Sequence, residues 1–150
     1  MRFPFAALCL LAVCPGFAGQ TKNPARALVG TWRYDLDSIR LDLSAKAISK
    51  EKARLGKNYR PSTLRQEAEG GLKPILVSFR ANRTLVISMV GRPVSQSGTW
   101  TLSGRTIKVV MTNLRQKTPS MTLAPNGKRI HVVDTEPGLG VIRVDLVKRD

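Results

Sequence analysis

From Lys73 to the C-terminus, apolar and polar residues alternate with a period of two, the signature of strands with one buried face. Ile75, Val77 and Phe79 share one side, and Ala81-Asn82-Arg83 turns the chain. Leu85, Ile87 and Met89 follow, and Gly91-Arg92-Pro93 turns it again. Val94, Gln96, Gly98, Trp100 and Leu102 then alternate with Ser95, Ser97, Thr99 and Thr101. Beyond the Ser103-Gly104 turn come Ile107, Val109 and Met111, then a polar loop, then Met121 and Leu123. Pro125-Asn126-Gly127 is a strong hairpin signal before Ile130 and Val132. Pro137-Gly138 makes the last bend before Ile142, Val144 and Leu146. One strand precedes this series, at about 28–36, with Leu28, Gly30, Trp32, Tyr34 and Leu36 on one face.

Residues 37–73 have a different period. Leu41, Ala45, Ile48 and Leu55 fall on one side of a helix, and Lys46, Lys50, Arg54 and Lys57 on the other. Asp37 or Ser44 is the candidate cap, and Gly56 the candidate stop. Pro61-Ser62 breaks the chain, and a short second helix over 64–68 ends at Gly70-Gly71. The expected architecture is therefore all-β: an eight-stranded antiparallel up-and-down barrel with a helical insert between strands one and two. A two-sheet sandwich is the alternative. Short sequential links, with no long crossover, favour closure.

The N-terminus reads as an export signal. Arg2 precedes a mostly apolar run, Phe3 to Val13, too short for a spanning helix, which needs about 20 residues. Pro15-Gly16 and the small residues Gly16 and Ala18 place cleavage after Ala18. The expected organisation is a signal peptide at 1–18, a polar leader at 19–27 with Pro24 opposing regular structure, and a barrel domain at 28–150. Residues 37–73 form its helical lid. The expected address is periplasmic or extracellular. Both cysteines, Cys9 and Cys14, lie in the signal, so the mature chain carries no thiol or disulfide chemistry.

Charge changes this picture in one place. The chain holds 25 Lys+Arg against 10 Asp+Glu, a formal net charge of +15. Between Arg40 and Arg65 eight basic residues face two acidic ones, Asp42 and Glu51, so much of the excess sits in the insert. Such a surface favours anionic partners. Nucleic acid is not expected among them, because single-strand readers pair basic grooves with exposed aromatics. Here Trp32 and Trp100 fall on apolar strand faces, and aromatic residues are only 5% of the chain.

Candidate chemistry is sparse. A single histidine, His131, sits on a strand between apolar neighbours, and with no mature cysteine a nitrogen- or sulfur-rich metal site is not expected. No Gly-x-Ser-x-Gly and no Gly-rich phosphate loop is present. Asp35, Asp37 and Asp42 read as a polar strand end and a helix cap. The expectation is a non-enzymatic monomer without a cofactor.

Gly30-Thr31-Trp32 opens strand one, SFRANRTLVIS forms a hairpin, SGTWTLSG supplies a second small-aromatic strand, and Leu146-Val147-Lys148-Arg149 ends the chain on basic residues. In that order, over about 28–149, these motifs resemble the lipocalin-like branch of the calycin barrels, the broad class of secreted lipocalin-like domains. The resemblance implies that Gly30 and Trp32 close one barrel end under a terminal cation. Arg149 is the choice, although alternation favours Lys148, which shares the parity of Leu146. It also implies an interior for an apolar or amphipathic small molecule. Trp32, Tyr34, Phe79, Ile87, Met89, Trp100, Met111 and Met121 would line it, with Gln96 as a polar anchor and the insert as a lid. A solidly packed interior is the alternative. In a second reading, Lys46, Lys50, Arg54 and Lys57 dock on an anionic envelope polymer or on lipid headgroups.

Overall fold

The computed structural model describes residues 23–149, leaving aside 94, 113–117, 137 and 139. The signal peptide at 1–18, with Cys9 and Cys14, and the first residues of the leader lie outside the described residues.

Asn23 accepts a hydrogen bond from Ala25 N at 3.1 Å and caps a short helix α1 at Pro24–Leu28. Pro24 thus begins a helix instead of opposing one. At the first helical position its missing N–H costs nothing, and its fixed φ is already helical. Eight strands follow: β1 Gly30–Leu43, β2 Ile75–Phe79, β3 Thr84–Met89, β4 Ser95–Ser103, β5 Thr106–Met111, β6 Ser120–Leu123, β7 Arg129–Glu136 and β8 Gly140–Lys148. Each pairs antiparallel with the next, and β1 pairs with β8, so the sheet is one closed barrel and not a sandwich. Closure satisfies the edge groups that an open sheet would expose.

Strand β1 is longer than its alternation shows. Its pairing with β8 runs from Trp32↔Lys148 to Asp35↔Asp145, then resumes at Arg40↔Arg143 with a shifted register. This bulge moves the inward set from Trp32 and Tyr34 to Ile39 and Leu41, so residues 37–43 belong to the strand and not to the helical insert. Ser38 holds the bulge: its hydroxyl donates to Asp35 O at 2.6 Å and accepts from Asp145 N at 2.8 Å.

The insert proper is helix α2 at Ala45–Leu55, a 3₁₀ turn at Gly56–Asn58, and helix α3 at Pro61–Leu72. Ser44, not Asp37, caps α2 by accepting from Ala47 N at 3.1 Å, and it also donates to Gly138 O at 2.8 Å, tying the helix start to the β7–β8 link. Gly56 ends α2 with φ +52, a conformation costly for other residues. Pro61 starts α3 instead of breaking the chain, and α3 runs through Gly70 and Gly71 to Leu72. Arg54 on α2 binds Glu67 on α3 at 2.8 Å, clamping the two helices together.

Up-and-down order sorts the links by end. The start of β1, the β2–β3, β4–β5 and β6–β7 turns and the end of β8 share one end. The other end carries α2, α3 and the remaining links. The first end is sealed. Leu28 of α1 is fully buried there with Trp32, Phe79, Leu85, Trp100, Leu123 and Ile130. Full burial of each such aliphatic or aromatic side chain stabilises by about 1.5–3 kcal/mol.

Candidate ligand site at the open end of the barrel

Both Gly-Thr-Trp motifs build the sealed end, each with a cation on its indole. Trp32 donates through Nε1 to Leu28 O at 2.8 Å, and Lys148 Nζ lies 5.5 Å from its ring centroid. The closing cation is therefore Lys148, not Arg149. The strand pairs Lys148 directly with Trp32, whereas Arg149 lies one position beyond and contributes its backbone N–H to Thr31 O at 2.9 Å. Gly30 makes room for this stack: a Cβ there would lie 3.3 Å from Lys148 Cε. Trp100 donates through Nε1 to Arg80 O at 3.2 Å, and Arg83 sits 4.4 Å over its ring. Phe79 meets Trp100 edge to face at 5.9 Å. With φ +67, Arg83 adopts a backbone conformation uncommon outside glycine, and this occurs at the hairpin tip that presents it to the indole.

This packing divides the expected lining. Trp32, Phe79, Trp100, Met111 and Met121 are only 0–8% exposed and belong to the hydrophobic core. Space lies at the opposite end. A cavity of about 280 Å³ opens beneath α3, walled by Tyr34, Val132, Asp134, Ile142 and Val144 from β1, β7 and β8, and roofed by Ala68, Gly71 and Leu72. Pro119 completes it. A second depression of about 340 Å³ lies at the rim of β2, β3 and β4, lined by Ile75, Ile87, Ser88, Met89, Arg92 and Gln96. Of the residues expected to line a site, Tyr34 falls in the first cavity and Ile87, Met89 and Gln96 in the second; the remaining five do not reach either. Gln96 is exposed at the mouth of the second depression.

Among the described residues the lining under α3 is mostly aliphatic, with two polar side chains, Tyr34 and Asp134. Burial raises the Tyr34 phenol above its ordinary pKa, and the negative charge of Asp134 raises it further. Its neutral, hydrogen-bond-donating form is therefore favoured. Asp134 carries a signal that the alternation contains: it continues the face of Ile130 and Val132, so an acid at that position must face the interior. Ile142 and Val144 were likewise visible as the apolar face of the last strand. Of the roof, Ala68 falls within the expected second helix, whereas Gly71 and Leu72 lie beyond it, because the helix continues past two glycines.

The basic stripe is also divided. Lys46, Lys50, Arg54 and Lys57 are all exposed. Arg54, however, is held by Glu51 and Glu67, and these hydrogen bonds raise its pKa further, so it serves the α2–α3 clamp. His131 lies on the outer face, with Nδ1 2.7 Å from Asp145 Oδ1. Arg129 bridges Asp35 and Asp145 at 2.8 and 3.2 Å, and Arg143 binds Asp42 at 2.8 Å. The carboxylates of β1 thus stitch the outside of the β1–β8 seam. Among the described residues no helix is long and apolar enough to cross a membrane.

No family model matches the chain, and no curated protein matches it. A crystal structure of a DUF4847 family protein from Bacteroides vulgatus is similar at 16% identity and a TM-score of 0.44, over 82% of this chain and 96% of that one.

Proposed function

We propose that the chain is an exported, non-enzymatic, lipocalin-like barrel that holds a small apolar or amphipathic molecule beneath α3. The observation that supports this is the asymmetry of the interior. One end is filled by two capped tryptophans, while the other keeps about 280 Å³ of largely aliphatic space under a helical roof. Ligand pockets typically run from about 300 to 1,000 Å³, so the volume selects a single ring or short chain over a long acyl tail. The order of the Gly-Thr-Trp strands and the cation over Trp32 support the lipocalin-like reading, and the signal-like N-terminus supports export. Saturation-transfer NMR with benzyl alcohol as probe tests the site. Wild-type protein transfers magnetisation to the probe, and Ala68→Trp, which fills the cavity from its roof, abolishes the transfer. Equal transfer in the variant refutes the proposal.

The second reading is docking on an anionic envelope polymer or lipid headgroups, and it draws on the exposure of Lys46, Lys50 and Lys57. Such attraction weakens with salt. It predicts binding to anionic vesicles that is lost at high ionic strength and on reversal of these three charges. Binding indifferent to both excludes it.

A further inference from the structure

We propose that the cavity beneath α3 selects a small apolar molecule carrying a cationic amine, with the Asp134 carboxylate as its counter-ion and the Tyr34 hydroxyl beside it. The proposal rests on the ligand-site reading above and adds the ligand's chemical class.

The placement of the acid carries the argument. Asp134 lies two positions past Val132 on β7, on the inward face, and its cross-strand partner is Ile142, another cavity residue. A charge among aliphatic walls costs free energy unless it finds a partner. Elsewhere the described carboxylates have such partners, apart from Asp37, which is exposed to water. Asp35 and Asp145 share Arg129, Asp42 has Arg143, Glu51 and Glu67 share Arg54, and Glu69 has Arg65. Asp134 enters no ion pair among the described residues. Among the described residues that line the cavity, it is the one charged group.

A bound ammonium would pair with this carboxylate. Its N–H groups would donate to the carboxylate, and the neutral Tyr34 phenol, close enough to feel the charge of Asp134, would accept another. The hydrocarbon part of the ligand would lie against Val132, Val144, Ile142 and Leu72. The same acid rejects the opposite class. A carboxylate ligand such as a fatty acid, though drawn to the basic exterior, would place like charges together in a partly dry site. Exterior and cavity thus carry opposite signs, and the cavity sets the selectivity.

Three probes with one ring decide the matter: benzylamine, benzyl alcohol and benzoate. Each is titrated at pH 7 against the protein while the methyl shifts of Val132, Ile142 and Val144 are followed. Benzylamine is expected to bind at least tenfold more tightly than benzyl alcohol, and benzoate most weakly. Asp134→Asn is expected to level benzylamine with benzyl alcohol. Benzyl alcohol or benzoate binding as tightly as benzylamine overturns the amine proposal and leaves the ligand site standing. So does a tenfold amine preference that survives in Asp134→Asn. Failure of all three probes to move these methyls overturns both. The wild-type comparison decides even where the variant does not fold.

Discussion

Replacing Gly98 by alanine is expected to weaken the barrel, although the same change elsewhere strengthens it. A Cβ at position 98 would lie 2.4 Å from the Val110 carbonyl oxygen and 3.0 Å from Met111 Cα and Sδ. Two of those three atoms are backbone of β5, paired in register with Gly98, so relief requires β4 and β5 to part. Overpacking of this kind costs about 1–3 kcal/mol. Parting also endangers the neighbouring bond from Thr112 N to Ser97 O, now 3.0 Å long, and such a bond is worth about 0.5–1.5 kcal/mol. Alanine's stiffer unfolded chain offsets about 0.4–1 kcal/mol. The net loss is about 2 kcal/mol, or about 6–12 °C in Tm for a domain of this size. Gly70 in α3 is the control, because a Cβ there meets nothing within 4 Å. Gly70→Ala should gain about 0.5–1 kcal/mol from helix propensity. Urea denaturation followed by tryptophan fluorescence reads both. A Gly98→Ala midpoint at or above wild type, or both variants shifting in the same direction, refutes the reasoning.

Lys148→Met should cost about 0.5–1 kcal/mol through loss of the cation on Trp32, while Arg149→Met should leave the urea midpoint unchanged. Equal losses would contradict the stacking assignment. Ser38→Ala removes both hydrogen bonds that hold the β1 bulge and should cost about 1–2 kcal/mol in urea unfolding; a neutral result would show that the bulge holds itself. The raised pKa of Tyr34 gives a pH signature. Its stabilising contribution is complete below the ordinary tyrosine pKa and is lost as pH climbs through the higher value in the folded chain. Relative to wild type, Tyr34→Phe should therefore lose less stability above pH ~10. Urea midpoints that fall in parallel for the two proteins would contradict this.

Most of the wall was legible because one face of each strand is buried and the other wet, so a period of two marks it. The tight turns, Asn126-Gly127 among them, then leave little topological choice. What escaped has specific causes. The β1 bulge shifts the inward parity between Asp35 and Arg40, so residues 37–43 lose their alternation and imitate the start of the helical insert. Pro24 and Pro61 looked like breaks because a proline that starts a helix and one that ends it look alike without the flanking geometry. Helix α3 passes through Gly70-Gly71 against propensity, and its hold is tertiary: it packs on β1, and Glu67 is bound to Arg54. For the site, parity identified the inward faces but not depth. Trp100 and Met121 share the inward orientation of Tyr34, yet only the last lies at the end left open. Arg54 shows the same limit on the surface, since its place on a basic stripe carried no hint of the glutamates that hold it.

The methyl spectrum of the protein titrated with benzyl alcohol tests the central claim most directly. The account predicts saturable one-site shifts at Leu72, Val132, Ile142 and Val144, with the sealed-end methyls of Leu28, Leu123 and Ile130 unmoved. Shifts at the sealed end, or none at all, would contradict it.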